Sequence, residues 1–504
     1  MTTQVDATSR RAKTGVPQWP KGTFGADLGA SLVVFLVALP LCVGVAVASG
    51  VPAELGIITG VVGGIVVGLL PGSTMQVSGP AAGLTVLVAS AVSDHGLGML
   101  GIIVLGAGVL QILMGLGRIG TWFRAISPSV VQGMLAGIGL VIMLGQLYPV
   151  GGLEQPSETS AKFAGLPGLV SAMFTTPQGL AGVAVTAVAL VILFGWPKLP
   201  EKVRNVPAAL VAVVLVSGAT YVLGLPLKTI EVGSLLEAIN VPTGESWGSA
   251  FTPAVLGSML TFGLIASAES LFSAAAVDRM HDRPKTQFNK ELVAQGAGNA
   301  VCGVLGALPM TAVIVRSGAN VRAGAKTKLS RILHGVWLLL FVVALPGVLA
   351  FIPTAVLAAV LIHAGWKLLE PGKVVQLART NRPEAAVLVL TAVMIVATDL
   401  LIGTLIGLAA AVIKTAFDVS RLSVKQEEQG EDHVHVELGG NATFLRLPRL
   451  LERLESLPSD KSVHLDLSTV RHLDQACHQA VENWAAQRER DNARTEVAMP
   501  AHAG

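Results

Sequence analysis

Runs of apolar residues close to 20 long, each about the length that crosses a bilayer core, recur from Gly29 to about Arg421. A chain built this way must bury those runs in lipid or in one another. Only 13% of its 504 residues are Asp, Glu, Lys or Arg, about half the roughly 25% of an ordinary soluble domain. This excludes a disordered chain and predicts a polytopic α-helical membrane protein. Aromatics are 5% while Gly reaches 56 residues, so the helices should approach closely through small side chains. The net charge is +3 with no basic run, which argues against nucleic acid as a partner. Cys42, Cys302 and Cys477 form no CxxC pair, so no disulfide, metal cluster or cofactor is expected.

Fourteen apolar segments can be counted: 28–49, 52–71, 77–93, 97–116, 128–147, 179–196, 207–224, 253–277, 292–306, 310–321, 332–350, 352–366, 383–398 and 400–420. The third and tenth are too short to cross as continuous helices. Residues 1–24, with Arg10, Arg11, Lys13 and Lys21 and no signal-peptide core, read as a cytosolic N-terminal segment. An even count then fixes the side of every loop. The inner loops carry Arg118, Arg124, Lys198, Arg279, Arg283, Lys290, Arg322, Arg331, Lys367 and Arg382 among 17 basic residues, 21 with the four of the N-terminal segment, whereas the outer ones carry only Lys162 and Lys228. This is the positive-inside asymmetry, and it predicts both termini in the cytosol and a location in the cytoplasmic membrane.

A faint internal repeat supports two halves. Ile126-Ser127-Pro128-Ser129-Val130 opens the fifth segment and Ile352-Pro353-Thr354-Ala355-Val356 the twelfth, 225 positions on. Pro80 and Pro309, at the two short segments, are 229 apart. Seven spans is an odd number, so the second copy must cross in the opposite sense, giving 7+7 inverted repeats over a transporter domain at 25–421. Residues 422–490 are charged and read as a short α/β unit: 433–438 and 462–467 as strands, 445–457 and 475–488 as helices. Residues 491–504 are expected to be a disordered tail.

The chemistry should lie where polarity enters apolar segments. Gln76-Val77-Ser78-Gly79-Pro80-Ala81-Ala82-Gly83 should start a half-helix. Pro presets φ at a first helical position, leaving the amides of Ala81, Ala82 and Gly83 unpaired at the positive end of the helix dipole. Such an end attracts anions. In the tenth segment, Leu308 to Ser317, Arg316 is a basic residue that must face a cavity or a partner; beside an anion its charge offsets the substrate's. Snorkelling to the inner surface is the alternative, and it is the favoured reading for Lys414.

Glu269 is the complementary oddity, an acid among small residues with Ser273 at i+4 on the same helical face. A bare carboxylate would repel an anion, so a cation, Na+ or a proton, should neutralise it. A purely structural Glu269–Arg316 salt bridge is the competing reading. Asp399 reads as an outer turn, His363 as a packed histidine, and Gln295 and Asn299 as interhelical hydrogen bonders. No P-loop or catalytic constellation is present, so neither an ATP-driven pump nor an enzyme is expected.

Over nearly its full length the chain resembles the SulP anion transporters, solute carrier family 26. The resemblance rests on Ala38-Leu39-Pro40-Leu41, on Gln76 to Gly83, on Glu269 to Asp278, and on Arg316-Ser317-Gly318-Ala319-Asn320-Val321 with Ala323-Gly324-Ala325-Lys326-Thr327. It implies a core domain moving against a gate domain, a cytosolic STAS-like domain and a homodimer. It also implies an inorganic anion held between opposed half-helices, at Gln76, Ser78, Ala81, Ala82, Ala312, Val313, Ile314 and Arg316. The resemblance is strongest to the sodium-dependent bicarbonate branch, which implies a Na+ site at Glu269 and Ser273 with the backbone of Ala312 and Val313. Two departures stand out: Glu269 replaces an aspartate, and Val313 and Ile314 replace smaller or hydroxyl residues. In the tail, Gln475 and Ala476 follow Asp474 where related anti-sigma antagonists carry a phosphorylatable serine, so phosphoregulation is not expected.

The reading that follows is Na+-coupled bicarbonate uptake by an elevator-like movement. A proton-coupled sulfate or dicarboxylate transporter and an anion channel are the alternatives.

Overall fold

The computed structural model describes residues 22–125, 127–156, 159–200, 206–230, 233–428, 433–491 and 494–499. The chain divides into two bodies, Met1–Gly407 and Leu408–Gly504.

The first body is helical. Its helices are α1 (Phe24–Ala48), α2 (Ala53–Val62), α3 (Thr85–His95), α4 (Leu97–Leu116), α5 (Pro128–Val150), α6 (Thr159–Ala164), α7 (Leu166–Thr175), α8 (Pro177–Gly195), α9 (Ala208–Val222), α10 (Pro253–Val277), α11 (Phe288–Val304), α12 (Ile314–Arg322), α13 (Leu329–Ala344), α14 (Thr354–Leu369), α15 (Pro371–Thr380), α16 (Arg382–Ala397) and the first turns of α17 (Leu400–Val419). Six helices among the described residues are long and apolar enough to cross a membrane. Others are shorter and apolar, and the outer loop expected at 148–178 folds into α6 and α7.

Small residues set the packing. A side chain at Gly108 would meet the backbone of Ala300, one at Gly303 the backbone of Leu105, and one at Gly139 the carbonyl of Gly365. Glycine therefore lets α4 lie against α11 and α5 against α14. One group packs α1, α2, α4, α10, α11 and α13; a second packs α5, α8, α9, α14 and α16.

The two short apolar segments break as their prolines require. In each, three residues form a strand before the helix starts: β1 (Ser78–Pro80) and β2 (Met310–Ala312), paired antiparallel with Ser78 opposite Ala312 and Pro80 opposite Met310. Because the strands run in opposite senses, the helices that follow them leave in opposite directions.

The second body carries a mixed sheet: β3 (Leu422–Glu428), β4 (His433–Ala442), β5 (Ser462–Asp466) and β7 (Thr495–Ala498) in that spatial order, with β6 (Val470–Leu473) beside the end of β4. Helices α18 (Leu447–Glu455) and α19 (Gln475–Arg490) cover a core of Val434, Val436, Leu438, Leu450, Val463, Leu465 and Val481. The expectation of a disordered tail at 491–504 needs correction, because Thr495–Ala498 pairs parallel with β5. Val497, against the core, gives this strand its apolar anchor. Residues 492, 493 and 500–504 of that expectation lie outside the described residues, as do 1–21 of the N-terminal segment.

Candidate functional site

The ribbon of β1 and β2 is fixed from several sides by buried side chains. Asn299 accepts from the Met310 amide at 2.7 Å and donates to the Met310 carbonyl at 3.0 Å, with a further bond to Gln111. Gln295 donates to the Ser78 hydroxyl at 2.7 Å and Gln76 to the Ser270 carbonyl at 2.8 Å. The Val77 amide donates to Ser317 Oγ at 2.8 Å and the Ala312 amide to Ser270 Oγ at 3.2 Å. Buried polar groups must find partners, and here they find them in one scaffold that holds both helix starts. Arg331 adds three backbone carbonyls, Gly68, Leu70 and Gln76.

Above the scaffold is a cavity of about 40 Å³ between the two helix groups. Pro80 and Ala82 come from the β1 side, Val313, Ile314 and Arg316 from the β2 side, and Glu269 and Ser273 from α10. Leu135 of α5 with Ala364 and Leu368 of α14 closes the opposite wall.

Arg316 is completely buried, and its Nε, Nη1 and Nη2 find no hydrogen-bond partner. It does not snorkel. Glu269 is half-buried, with Oε2 likewise unpartnered, and no ion pair joins the two, so the structural salt bridge is absent among the described residues. Each charge depends on a glycine. A Cβ at Gly79 would collide with the Arg316 guanidinium, and one at Gly83 would lie 3.0 Å from the Glu269 carboxyl oxygens.

The placement of the expected ligands differs in detail. Val313 donates its amide to the Val77 carbonyl at 2.9 Å, and Ser270 takes that of Ala312. The ribbon therefore removes both amides from the anion-binding set, and the first-turn amides without intrahelical partners are those of Ile314, Val315 and Arg316. On the other side Ala81 is extended and Ala82 and Gly83 head a 3-10 turn. Gln76 and Ser78 belong to the scaffold rather than to the cavity wall. Glu269 and Ser273 share the wall as their spacing requires. Sequence reasoning gave no role to Ser270, Gly79 or the buried Thr311, whose Oγ1 is unpartnered, and it named Gly83 for its amide but not for the space it leaves to Glu269; the Gly-Pro pair was the one available signal. Outside the cavity, Lys414 pairs with Asp418 at 2.9 Å, Asp399 accepts from the Ile402 amide at 2.9 Å, and His363 packs edge-on to Phe194.

Two broken helices meet at an antiparallel ribbon, with an arginine and a carboxylate oxygen that lack hydrogen-bond partners beside it, in a body whose long apolar helices could cross a membrane. Residues 24–391 match the sulfate permease family and residues 426–503 a STAS domain of the Mlab type. The chain belongs to the sulfate permease family, SulP or solute carrier 26. It is 28% identical over 356 residues to the Putative sulfate transporter YvdB of Bacillus subtilis, covering 70% of this chain and 65% of that one. It is 26% identical over 444 residues to the Bicarbonate transporter BicA of a Synechocystis species, covering 82% and 77%. Among solved structures, the transmembrane domain of a cyanobacterial BicA superposes with a TM-score of 0.68 at 24% identity, over 78% of this chain and 98% of that one.

Proposed function

We propose that the protein is a secondary active importer of a small inorganic anion, with bicarbonate carried together with Na+. The observation that carries this reading is Arg316, whose guanidinium nitrogens find no hydrogen-bond partner in a cavity at the starts of two half-helices. A guanidinium in that position lacks a negative charge, and a small anion bound to it and to the amides of Ala82, Gly83, Ile314 and Val315 would supply one. The carboxylate of Glu269 in the same cavity opposes anion binding unless a cation joins it, so anion and cation enter together. Glu269, Ser273 and nearby backbone carbonyls are hard oxygen donors of the kind Na+ takes, and the relative named as a bicarbonate transporter supports the choice of anion.

The cavity lies between two packed groups of helices, which supports sliding of the α1–α4, α10–α13 group against the α5–α9, α14–α16 group in the manner of an elevator. Fourteen segments in two inverted halves, termini in the cytosol of a bacterial-type inner membrane, and a homodimer complete the proposal. The opposed courses of the helices after β1 and β2 support the inversion.

A second reading, proton-coupled sulfate transport, draws on the Bacillus subtilis relative and on the unpartnered Glu269 Oε2, which could equally carry a proton. The deciding experiment is uptake of labelled bicarbonate and labelled sulfate into proteoliposomes, with and without an inward Na+ gradient at constant pH. Bicarbonate uptake that requires Na+ supports the first reading, and sulfate uptake driven by a pH gradient supports the second. Anion current that ignores both gradients and does not saturate rejects coupling and makes the protein a channel.

A further inference from the structure

On the side of the first body that the basic loops place in the cytosol, α4 ends at Leu116 and α11 begins at Phe288. Between them opens a groove of about 680 Å³. Its walls are mostly apolar, from Leu70, Leu116, Phe288 and Val293, with Thr121, Thr286, Gln287 and Asn289 among them; its charged groups are Arg118 and Lys290, both exposed, and no acidic residue lines it. Beside it stand large apolar side chains open to the surroundings, Leu69 at 65%, Leu116 at 68% and Trp122 at 77% exposure. Trp122 lies on the 3-10 turn Ile119–Ala125 that follows Arg118, and tryptophan favours the headgroup level of a bilayer.

We propose that this groove binds an anionic phospholipid of the inner leaflet, its phosphate between Arg118 and Lys290 and its acyl chains along Leu116 and Val293. Two cations at the water edge above an apolar wall match a molecule that is anionic at one end and hydrocarbon at the other. A soluble anion would satisfy the cations and leave the wall bare. A neutral lipid would cover the wall and leave the cations unmatched.

The backbone strengthens the case. Arg118 holds φ at 60°, the left-handed region that glycine enters at least cost. An arginine kept there is strained, and its side chain lines the groove. It also supplies a clean variant: Arg118→Gly removes the charge and relieves the backbone, so loss of binding in it does not come from misfolding.

The test uses the full chain in nanodiscs of equal parts phosphatidylglycerol and phosphatidylcholine, with the lipids that survive detergent extraction counted by native mass spectrometry. Phosphatidylglycerol is expected to be retained over phosphatidylcholine. The preference should fall about fivefold in Arg118→Gly and about fivefold again on adding Lys290→Gln. A control variant, Lys373→Gln with Arg379→Gln on the exposed cytosolic helix α15, should keep it. Equal retention of both lipids, or an equal loss in the control, overturns the proposal. Displacement of the lipid by soluble glycerol phosphate at comparable concentration overturns it as well, because the groove would then be a simple anion pocket. None of these outcomes depends on which anion the protein transports.

Discussion

Gly79 and Arg316 share one space: the side chain that Gly79 lacks is where the Arg316 guanidinium lies. The same relation, less tight, holds between Gly83 and Glu269. The two charges of the cavity are thus held by two glycines one helical turn apart in sequence, on the opposite half of the site.

The pairing separates two functions experimentally. Gly79→Ala should displace the guanidinium and raise the half-saturating anion concentration with little change in that for the cation. Gly83→Ala should do the reverse, since its Cβ presses on the Glu269 carboxyl. Uptake measured against each ion in turn checks both, and equal effects of both variants on both ions would refute the assignment.

Arg316→Gln keeps a polar side chain and removes the charge. Loss of a buried charge that pairs with the anion costs about 2 kcal/mol or more, about 30-fold in apparent affinity. Glu269→Gln should leave residual uptake that no longer responds to the cation gradient. Proteoliposome uptake reads both outcomes.

Asn299 carries no charge and touches neither ion in the proposed arrangement, yet it holds β2 through both polar groups of Met310. Asn299→Leu leaves a buried amide and a buried carbonyl without partners, at about 1–3 kcal/mol each. The expected result is a lower unfolding temperature in detergent together with weaker apparent affinity for anion and cation alike.

In the second body, burial pushes the Asp474 carboxyl up, but the amides of Cys477 and Phe444 more than reverse this and hold it below the usual aspartate value. Its stabilising effect is therefore complete above the unfolded value of about 4 and is lost as pH falls through the lower folded value. Hydrogen exchange in the first turn of α19, corrected for intrinsic rates, should accelerate over that acidic window in the wild type. Asp474→Ala should cost about 1 kcal/mol at neutral pH and abolish the pH dependence.

The sequence exposed the parts of the site that break a pattern. Pro80 and Pro309 interrupt apolar runs, and Arg316 and Glu269 are charges where hydrocarbon is expected, so each could be read from its surroundings. The ribbon could not, because strands of three residues are too short to show a period, and their pairing joins positions far apart in the chain. This is why Ala312 and Val313 were expected to offer amides that the ribbon consumes. Glycine leaves no trace of what fills the space beside it, so the places of Gly79 beside Arg316 and of Gly83 beside Glu269 emerged only from the packing. In the tail, Thr495–Ala498 is a short strand whose one core contact is Val497, too little to distinguish it from a polar terminus.

The strand pairing between Ser78 and Ala312 also limits what can move. Parting the two half-helix starts would break the ladder, the Val313–Val77 bond and the links through Ser270 and Ser317, all in a setting where no water can replace them. The two half-helix starts therefore form a clasp fastened by several bonds at once, and under the proposed transport reading the expected movement is of the walls around it rather than an unfastening of the clasp.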